Sequence, residues 1–305
     1  MSSTPTSDRR SRDVDERTRH RDGRRRRWLA PVTILVVLGI VAGSFYAVWT
    51  KLQSELFSPS CTATTSAGPA TFSPEQVANA ALIAAISDKR GLPPRAASIA
   101  MATVYQETGI RNLDYGDRDS VGLFQQRPSQ GWGTEKQLMD PFYSTGKFYD
   151  ALVKIDNWRT DDINDVAQKV QRSGHPEAYR DHEADARVLA SALTGHSPAG
   201  FSCLDRTGAA GEPDGLARSL RRTFGKVETI TDHDQATGVS KITIKADNTH
   251  DAWAYAHHAV ANAKHYGVTG VKIADRQWQT QDFNLPEWTV TNPALPKRQV
   301  EITMR

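Results

Sequence analysis

Glu107 closes an alanine-rich run, PRAASIAMATVYQET, and a loop dense in glycine and aspartate comes next, GIRNLDYGDRDSVGLFQQR. Ile99, Thr103 and Glu107 recur four residues apart, with Ala100 and Val104 beside them, so on a helix Glu107 extends the face that is buried. Gly109 ends that helix and leaves Glu107 in its last turn, among carbonyls with no partner inside the helix. Desolvation disfavours a carboxylate, and the negative end of a helix repels one, so both conditions oppose ionisation. A carboxylic acid that keeps its proton near neutral pH is what a general acid needs to protonate a leaving oxygen. The bland alternative is an acid that fans out to solvent at a frayed helix end.

Fifteen residues beyond Glu107 begins Gly122-Leu123-Phe124-Gln125. Here a glycine lets backbone approach a ligand, and a glutamine amide can both donate and accept. The loop between holds Asp114, Asp117 and Asp119. One of them across a cleft would form a second carboxylate able to activate a water. The reading these residue types favour is loop chemistry, in which the aspartates stabilise turns or pair with Arg111 and Arg118. A calcium loop is less favoured still, because Asp117 and Asp119 lack the remaining ligands and the distal glutamate of an EF-hand. His250, His257, His258 and His265 look like a metal cluster until placed on a helix, where the nonadjacent ones stand too far apart to share an ion. They read as surface and packing histidines, and no metal or organic cofactor is expected.

The two segments together give the chain its likeness. It resembles the lysozyme-like superfamily of lytic transglycosylases and goose-type lysozymes, whose signature is a Glu-Ser pair closing a helix and then a Gly-Leu-(Met or Phe)-Gln segment. Glu107-Thr108 and Gly122-Leu123-Phe124-Gln125 match that order and spacing. The blocks NLDYGDRDSVGLFQQRPSQGWG and VQRSGHPEAYRDHEADA are similar to those of actinobacterial proteins of the same kind. Thr108 stands where serine is usual and keeps the hydroxyl. A late Ala-Tyr-Asn motif corresponds to Ala178-Tyr179-Arg180, which gives Tyr179 as the residue that orients the acid but lacks the asparagine.

The resemblance covers residues 73 to about 205. It implies a mainly α lysozyme-like domain that cuts peptidoglycan strands between N-acetylmuramic acid and N-acetylglucosamine. Glu107 would protonate the glycosidic oxygen and then, as carboxylate, take the proton of the muramyl C6 hydroxyl, leaving a 1,6-anhydro end. Gly122, Leu123, Phe124, Gln125 and Tyr179 would hold substrate or position the acid. Tyr115, Trp132, Phe142 and Tyr143 are available to stack on sugar rings or to fill the core. Two alternatives remain: a hydrolase of the goose-type lysozyme kind, and a noncatalytic wall-binding or scaffold protein.

The elements that must position these residues are marked along the chain. Ser73, Pro74 and Gln76 supply an N-cap, a first-turn proline and a capping box for a helix ending at Gly91. The helix bearing Glu107 starts near Pro94, and further helices are expected over Pro141–Lys154, Ile163–Val170 and His175–Leu193. Residues 206–215 read as a linker. Beyond them KITIKA, VTGVKIADRQW and RQVEITMR alternate like strands around one long helix, so residues 216–305 read as a small α+β domain with a three- or four-stranded sheet. Its role and its protein partners are not legible.

Residues 1–27 hold ten arginines against five acids, an excess greater than the +3 of the whole chain. The remainder is therefore slightly acidic, and nucleic acid is excluded as a partner on charge. That tail reads as disordered and cytoplasmic. Trp28 to Trp49 contains no charged residue, long enough for a helix of about 30 Å, so residues 28–50 are expected to cross the lipid bilayer once and export the rest of the chain. A cleaved signal peptide, cut near VAGS, is the rival reading. Residues 51–72 read as a stalk. The only cysteines, Cys61 and Cys203, lie on the exported side, where one disulfide is expected and two buried thiols are the alternative.

Overall fold

Sixteen residues after the N-cap Ser73 form the first helix of the folded body, and the device that starts it is the one its sequence announces. Ser73 Oγ accepts from the Gln76 N–H, and Gln76 Oε1 accepts from the Ser73 N–H at 2.8 Å. The structure, a computed structural model, describes residues 38–49, 51, 58–172, 177–204, 209–281 and 284–305. Residues 38–49 are helical (α1) and fall in a unit that ends at Ser58, while Pro59–Arg305 cluster as a separate unit.

Two expectations are corrected. Among the described residues no helix is long and apolar enough to cross a membrane. Of the span expected over 28–50, residues 28–37 and 50 lie outside the described residues.

The second correction concerns the mainly α character expected before residue 205. Ser60–Thr65 (β1) and Gly68–Phe72 (β2) form a hairpin within the stretch read as a stalk, and Phe201–Leu204 (β3) pairs with β1 to complete an antiparallel sheet in the order β2-β1-β3. Cys61 and Cys203 stand opposite each other in that register and are joined as a disulfide. The strands are rich in small residues and interrupted by Gly-Pro, and the partner strand lies 142 residues away at the disulfide, so no local pattern betrays the sheet. In the chain-entropy account, closing so long a loop stabilises by about 4–5 kcal/mol.

The helical layer holds Pro74–Lys89 (α2), Pro94–Thr108 (α3), Glu135–Leu138 (α4), Pro141–Leu152 (α5), Ile163–Gln171 (α6) and Glu183–Leu193 (α7). α3 is central. Ala96, Ala97, Ile99, Ala100, Met101, Ala102, Thr103 and Val104 are all fully buried, and it packs on α2, α5, α6 and α7. Its small side chains let four neighbours approach one axis, which a leucine-rich helix would not allow. Of the helix expected over His175–Leu193, residues 175 and 176 lie outside the described residues, and among the rest the helix runs from Glu183, after a short 3-10 turn over Arg180–His182. The Tyr179 N–H is bonded instead to Asn164 Oδ1 at 3.2 Å, which takes the chain out of helical register.

Beyond this layer come Pro213–Phe224 (α8), Thr229–Asp234 (β4), Val239–Lys245 (β5), Thr249–Ala261 (α9), Ala263–Tyr266 (α10), Val268–Ile273 (β6), Arg276–Gln279 (β7), Thr289–Val290 (β8) and Gln299–Met304 (β9). The second sheet has six antiparallel strands in the order β4-β5-β9-β6-β7-β8, two or three more than expected. α9 is shared: it packs on α2, α7 and β3 on one side and on β6 and β9 on the other. The Trp288 indole N–H donates to the Phe201 carbonyl at 2.8 Å and the Trp278 indole to Ser202 Oγ at 2.9 Å, tying β3 to the region of the second sheet.

His257 and His258 lie within that shared core. His257 Nδ1 donates to the Ala192 carbonyl at 2.7 Å, and His258 Nε2 faces Ser219 Oγ at 3.3 Å. Burial pushes both imidazoles down to about 4 from the ordinary 6.5, so both are neutral in the fold. A histidine that binds its proton more readily when unfolded stabilises the fold fully above pH 6.5 and loses that contribution as pH falls towards 4. Asp88, raised to about 6 by burial and by Asp251, acts in the opposite sense and loses stability as pH rises from 3.8 to 6. Being partly exposed, it offsets the two fully buried histidines only in part. Urea unfolding should show stability level above pH 6.5 and falling between pH 6.5 and about 4, and Asp88→Asn should raise stability at pH 7 but not at pH 3.5.

Candidate active site

Helix α3 ends as its sequence predicts. Gly109 adopts the left-handed conformation, with φ 61° and ψ 35°, its N–H bonds to the Tyr105 carbonyl, and the Ile110 N–H reaches the Val104 carbonyl at 3.0 Å. The Gly109 bond is the one that defines the αL type of helix cap, and the Ile110 bond reaches one residue further back. Ile110 is also left-handed, at φ 61°, an unfavourable conformation for a β-branched residue. The turn is held from outside: Gln76 Nε2 donates to the Gly109 carbonyl and Asn79 Nδ2 to the Ile110 carbonyl, each at 2.9 Å. Gln76 thus caps α2 with its oxygen and fastens the end of α3 with its nitrogen.

Glu107 is half-buried in this last turn. Its Oε1 accepts two hydrogen bonds, from the Tyr179 hydroxyl at 2.8 Å and from Gln171 Nε2 at 3.2 Å. Oε2 is bonded to no described residue. Gln171 Nε2 also donates to the Phe124 carbonyl at 2.8 Å, so one amide joins the acid to the Gly122–Gln125 segment. Thr108 makes the second link, its hydroxyl lying 3.0 Å from the Leu123 carbonyl and 2.9 Å from that of Val104. Tyr179 is buried, so its hydroxyl has little freedom to leave the carboxylate.

The sequence placed Glu107 in line with an apolar stripe, and Ile99 and Thr103 are indeed buried below it. The surroundings of the carboxyl group are polar, however, because the two donors come from α6 and from the turn before α7. Gln171 was the residue that sequence reasoning missed. Its only signal was its position in the VQRSGHPEAY block that also holds Tyr179.

The Gly122–Gln125 segment faces the acid mainly with backbone. Leu123 and Phe124 are fully buried, and Phe124 stacks on Phe148 with ring centres 4.6 Å apart. Gly122 has φ 80°, and a Cβ there would stand 2.4 Å from the Leu138 carbonyl, so glycine is needed for close approach. Gln125 turns back on its own loop, with its Nε2 3.2 Å from the Tyr115 carbonyl, and its Oε1 fills the space a side chain at Gly116 would need.

None of the three loop aspartates bonds to Glu107. Asp119 accepts from Arg127 Nε at 2.8 Å, from the Ser129 N–H at 2.7 Å and from Ser129 Oγ at 3.0 Å. The Arg127 guanidinium, foremost among these donors, holds its carboxyl well below the usual carboxylate range, which makes it a weak base. Asp117 lies 3.8 Å from Arg118, and Asp114 is exposed. Of the aromatic residues, Tyr115 is exposed, Phe142 lies between Lys89 and Arg222, and the Tyr143 hydroxyl donates to the Trp132 carbonyl. Among the described residues no cluster of histidine, cysteine and acidic side chains is arranged to hold a metal. A recess of about 1150 Å³, lined by residues such as Glu75, Arg111, Arg218 and Tyr266, lies between the start of α2 and α8 to α10 and does not include Glu107. The hydrogen-bond geometry around the acid is therefore a better guide to chemistry than the size of a cavity.

Compared with models of known protein families and with curated proteins, the chain matches none.

The Thr108 hydroxyl ties the end of α3 to the Gly122–Gln125 segment. Thr108→Ser should leave stability within about 1 kcal/mol of the parent, whereas Thr108→Val, equal in shape, leaves the buried Leu123 carbonyl unpaired and should cost about 1–3 kcal/mol in chemical denaturation.

Proposed function

We propose that the chain is a lytic transglycosylase of the lysozyme-like kind, acting on peptidoglycan strands between N-acetylmuramic acid and N-acetylglucosamine. The observation that carries this reading is the carboxyl group of Glu107, with two donors on Oε1 and, among the described residues, none on Oε2. Donors on Oε1 leave that oxygen as acceptor only, so the proton of the neutral acid sits on Oε2, the atom free to meet a ligand. Oε2 protonates the glycosidic oxygen as the bond to the muramyl C1 breaks. Tyr179 and Gln171 then hold the carboxylate that remains, in the orientation it had as the acid. The same carboxylate takes the proton of the muramyl C6 hydroxyl while that oxygen closes on C1, and the acid is restored.

One residue serves both steps, so no second carboxylate is required. The engagement of Asp119 by Arg127 and Ser129 supports this route over a hydrolytic one, since a carboxyl held so far towards its anion is a poor base for water. No metal or organic cofactor enters the scheme. A wall substrate places the folded unit outside the cytoplasm, in keeping with the Cys61–Cys203 disulfide, because such bonds persist in oxidising compartments.

Incubating the chain with isolated cell walls and weighing the fragments tests the reading. Fragments with 1,6-anhydro ends are expected. Glu107→Gln should lower the rate about a hundredfold to ten-thousandfold, and Tyr179→Phe about tenfold with binding retained. Fragments heavier by one water would assign the chain to the hydrolases. Walls left intact by the parent and by Glu107→Gln alike would leave a noncatalytic wall-binding role.

A further inference from the structure

A recess of about 660 Å³ opens between the loop after Gly122–Gln125 and the ends of α5 and α6. Its walls carry Lys147, Lys154, Lys169 and Arg172 against a single acid, Asp150. Asp150 is already engaged by Arg90 at 2.5 Å, and Lys169 by Asp161 at 2.9 Å. Lys147, Lys154 and Arg172 form no ion pair among the described residues; the Lys147 ammonium lies 5.5 Å from the centre of the Tyr143 ring. Like charges gathered without counter-charge repel one another and do nothing for folding.

Position adds to charge. Arg172 directly follows Gln171, which holds Glu107, and it caps α6 in the left-handed conformation at φ 53°, where glycine is the ordinary residue. Gln130, Gly131 and Trp132 also line it, a few residues beyond the segment to which Gln171 is bonded. The recess is thus bounded by the same two stretches of chain that meet at the acid.

Resting on the peptidoglycan reading, we propose that this recess binds the carboxylates of the peptides carried by the muramyl residues, so that peptide-bearing strands are taken in preference to bare glycan. Three cations, one on α5, one in the turn after it and one at the cap of α6, suit several carboxylates spread along a peptide better than one compact anion. A phosphodiester wall polymer shares the anionic chemistry and is distinguished in the test.

The full chain carrying Glu107→Gln, so that ligand is not consumed, is titrated with short glycan strands bearing peptides and with the same strands stripped by an amidase. Peptide-bearing strands are expected to bind about tenfold more tightly at low salt, with the gap narrowing as salt rises. Combining Lys147→Gln, Lys154→Gln and Arg172→Gln should close the gap and leave binding of stripped strands unchanged, with circular dichroism confirming the fold. Equal binding of the two strands, or a gap that survives the triple replacement, overturns the proposal. So does displacement of peptide-bearing strands by poly(glycerol phosphate) at lower concentration than by free stem peptide. Cleavage of peptide-bearing strands by the parent chain at saturating concentration reports on Glu107: its absence beside an intact gap sinks the cleavage reading and spares this one, and its presence without a gap does the reverse.

Discussion

One carboxyl oxygen gathers the structure around it. Glu107 Oε1 accepts from Tyr179 and Gln171, residues 72 and 64 positions further along the chain, and those bonds exist only if α3, α6 and the turn before α7 are packed correctly. A carboxyl group at the end of a helix has rotational freedom, and a hydrogen bond is directional enough to remove it only when its donor is itself held. Both donors are: Tyr179 by burial and by the bond from its N–H to Asn164, and Gln171 by its second bond to Phe124.

The frame beneath that oxygen is built from backbone groups that lose their helical partners at the end of α3. Such carbonyls must find donors or face water. Gly109 and Ile110 find Gln76 and Asn79, and the Thr108 hydroxyl bridges from Val104 to Leu123. Satisfying the helix end therefore also fixes the distance from the acid to the Gly122–Gln125 segment. The left-handed Ile110 is retained because bonds on both sides over-determine the turn.

α9 extends the same logic to the rest of the unit. It presents apolar side chains both to the helical layer and to the six-stranded sheet, and its two buried histidines stay neutral to fill the gap between them. β3 binds the two regions a second time, through Cys203 to β1 and through Phe201 and Ser202 to the indoles of Trp288 and Trp278. The arrangement ties the rigidity of the helical layer to strands that come after it in sequence.

Read alone, the sequence determined whatever depends on neighbours within about a turn: the capping box at Ser73 and Gln76, the span of α3, its glycine stop, and Glu107 in the last turn. The resemblance its motifs carry also paired Glu107 with Gly122–Gln125. Tyr179 was expected beside the acid from the resemblance, but only the tertiary structure decided that Gln171 holds it too, because Gln171 arrives from an element that carries no local mark of where it points. It also turned Gln125 inward and left Leu123 and Phe124 to the core, since a segment that bonds through backbone hides the direction of its side chains. The first sheet was invisible for a related reason: a strand of small residues is stabilised by its partner, and here that partner lies 142 residues away at the disulfide.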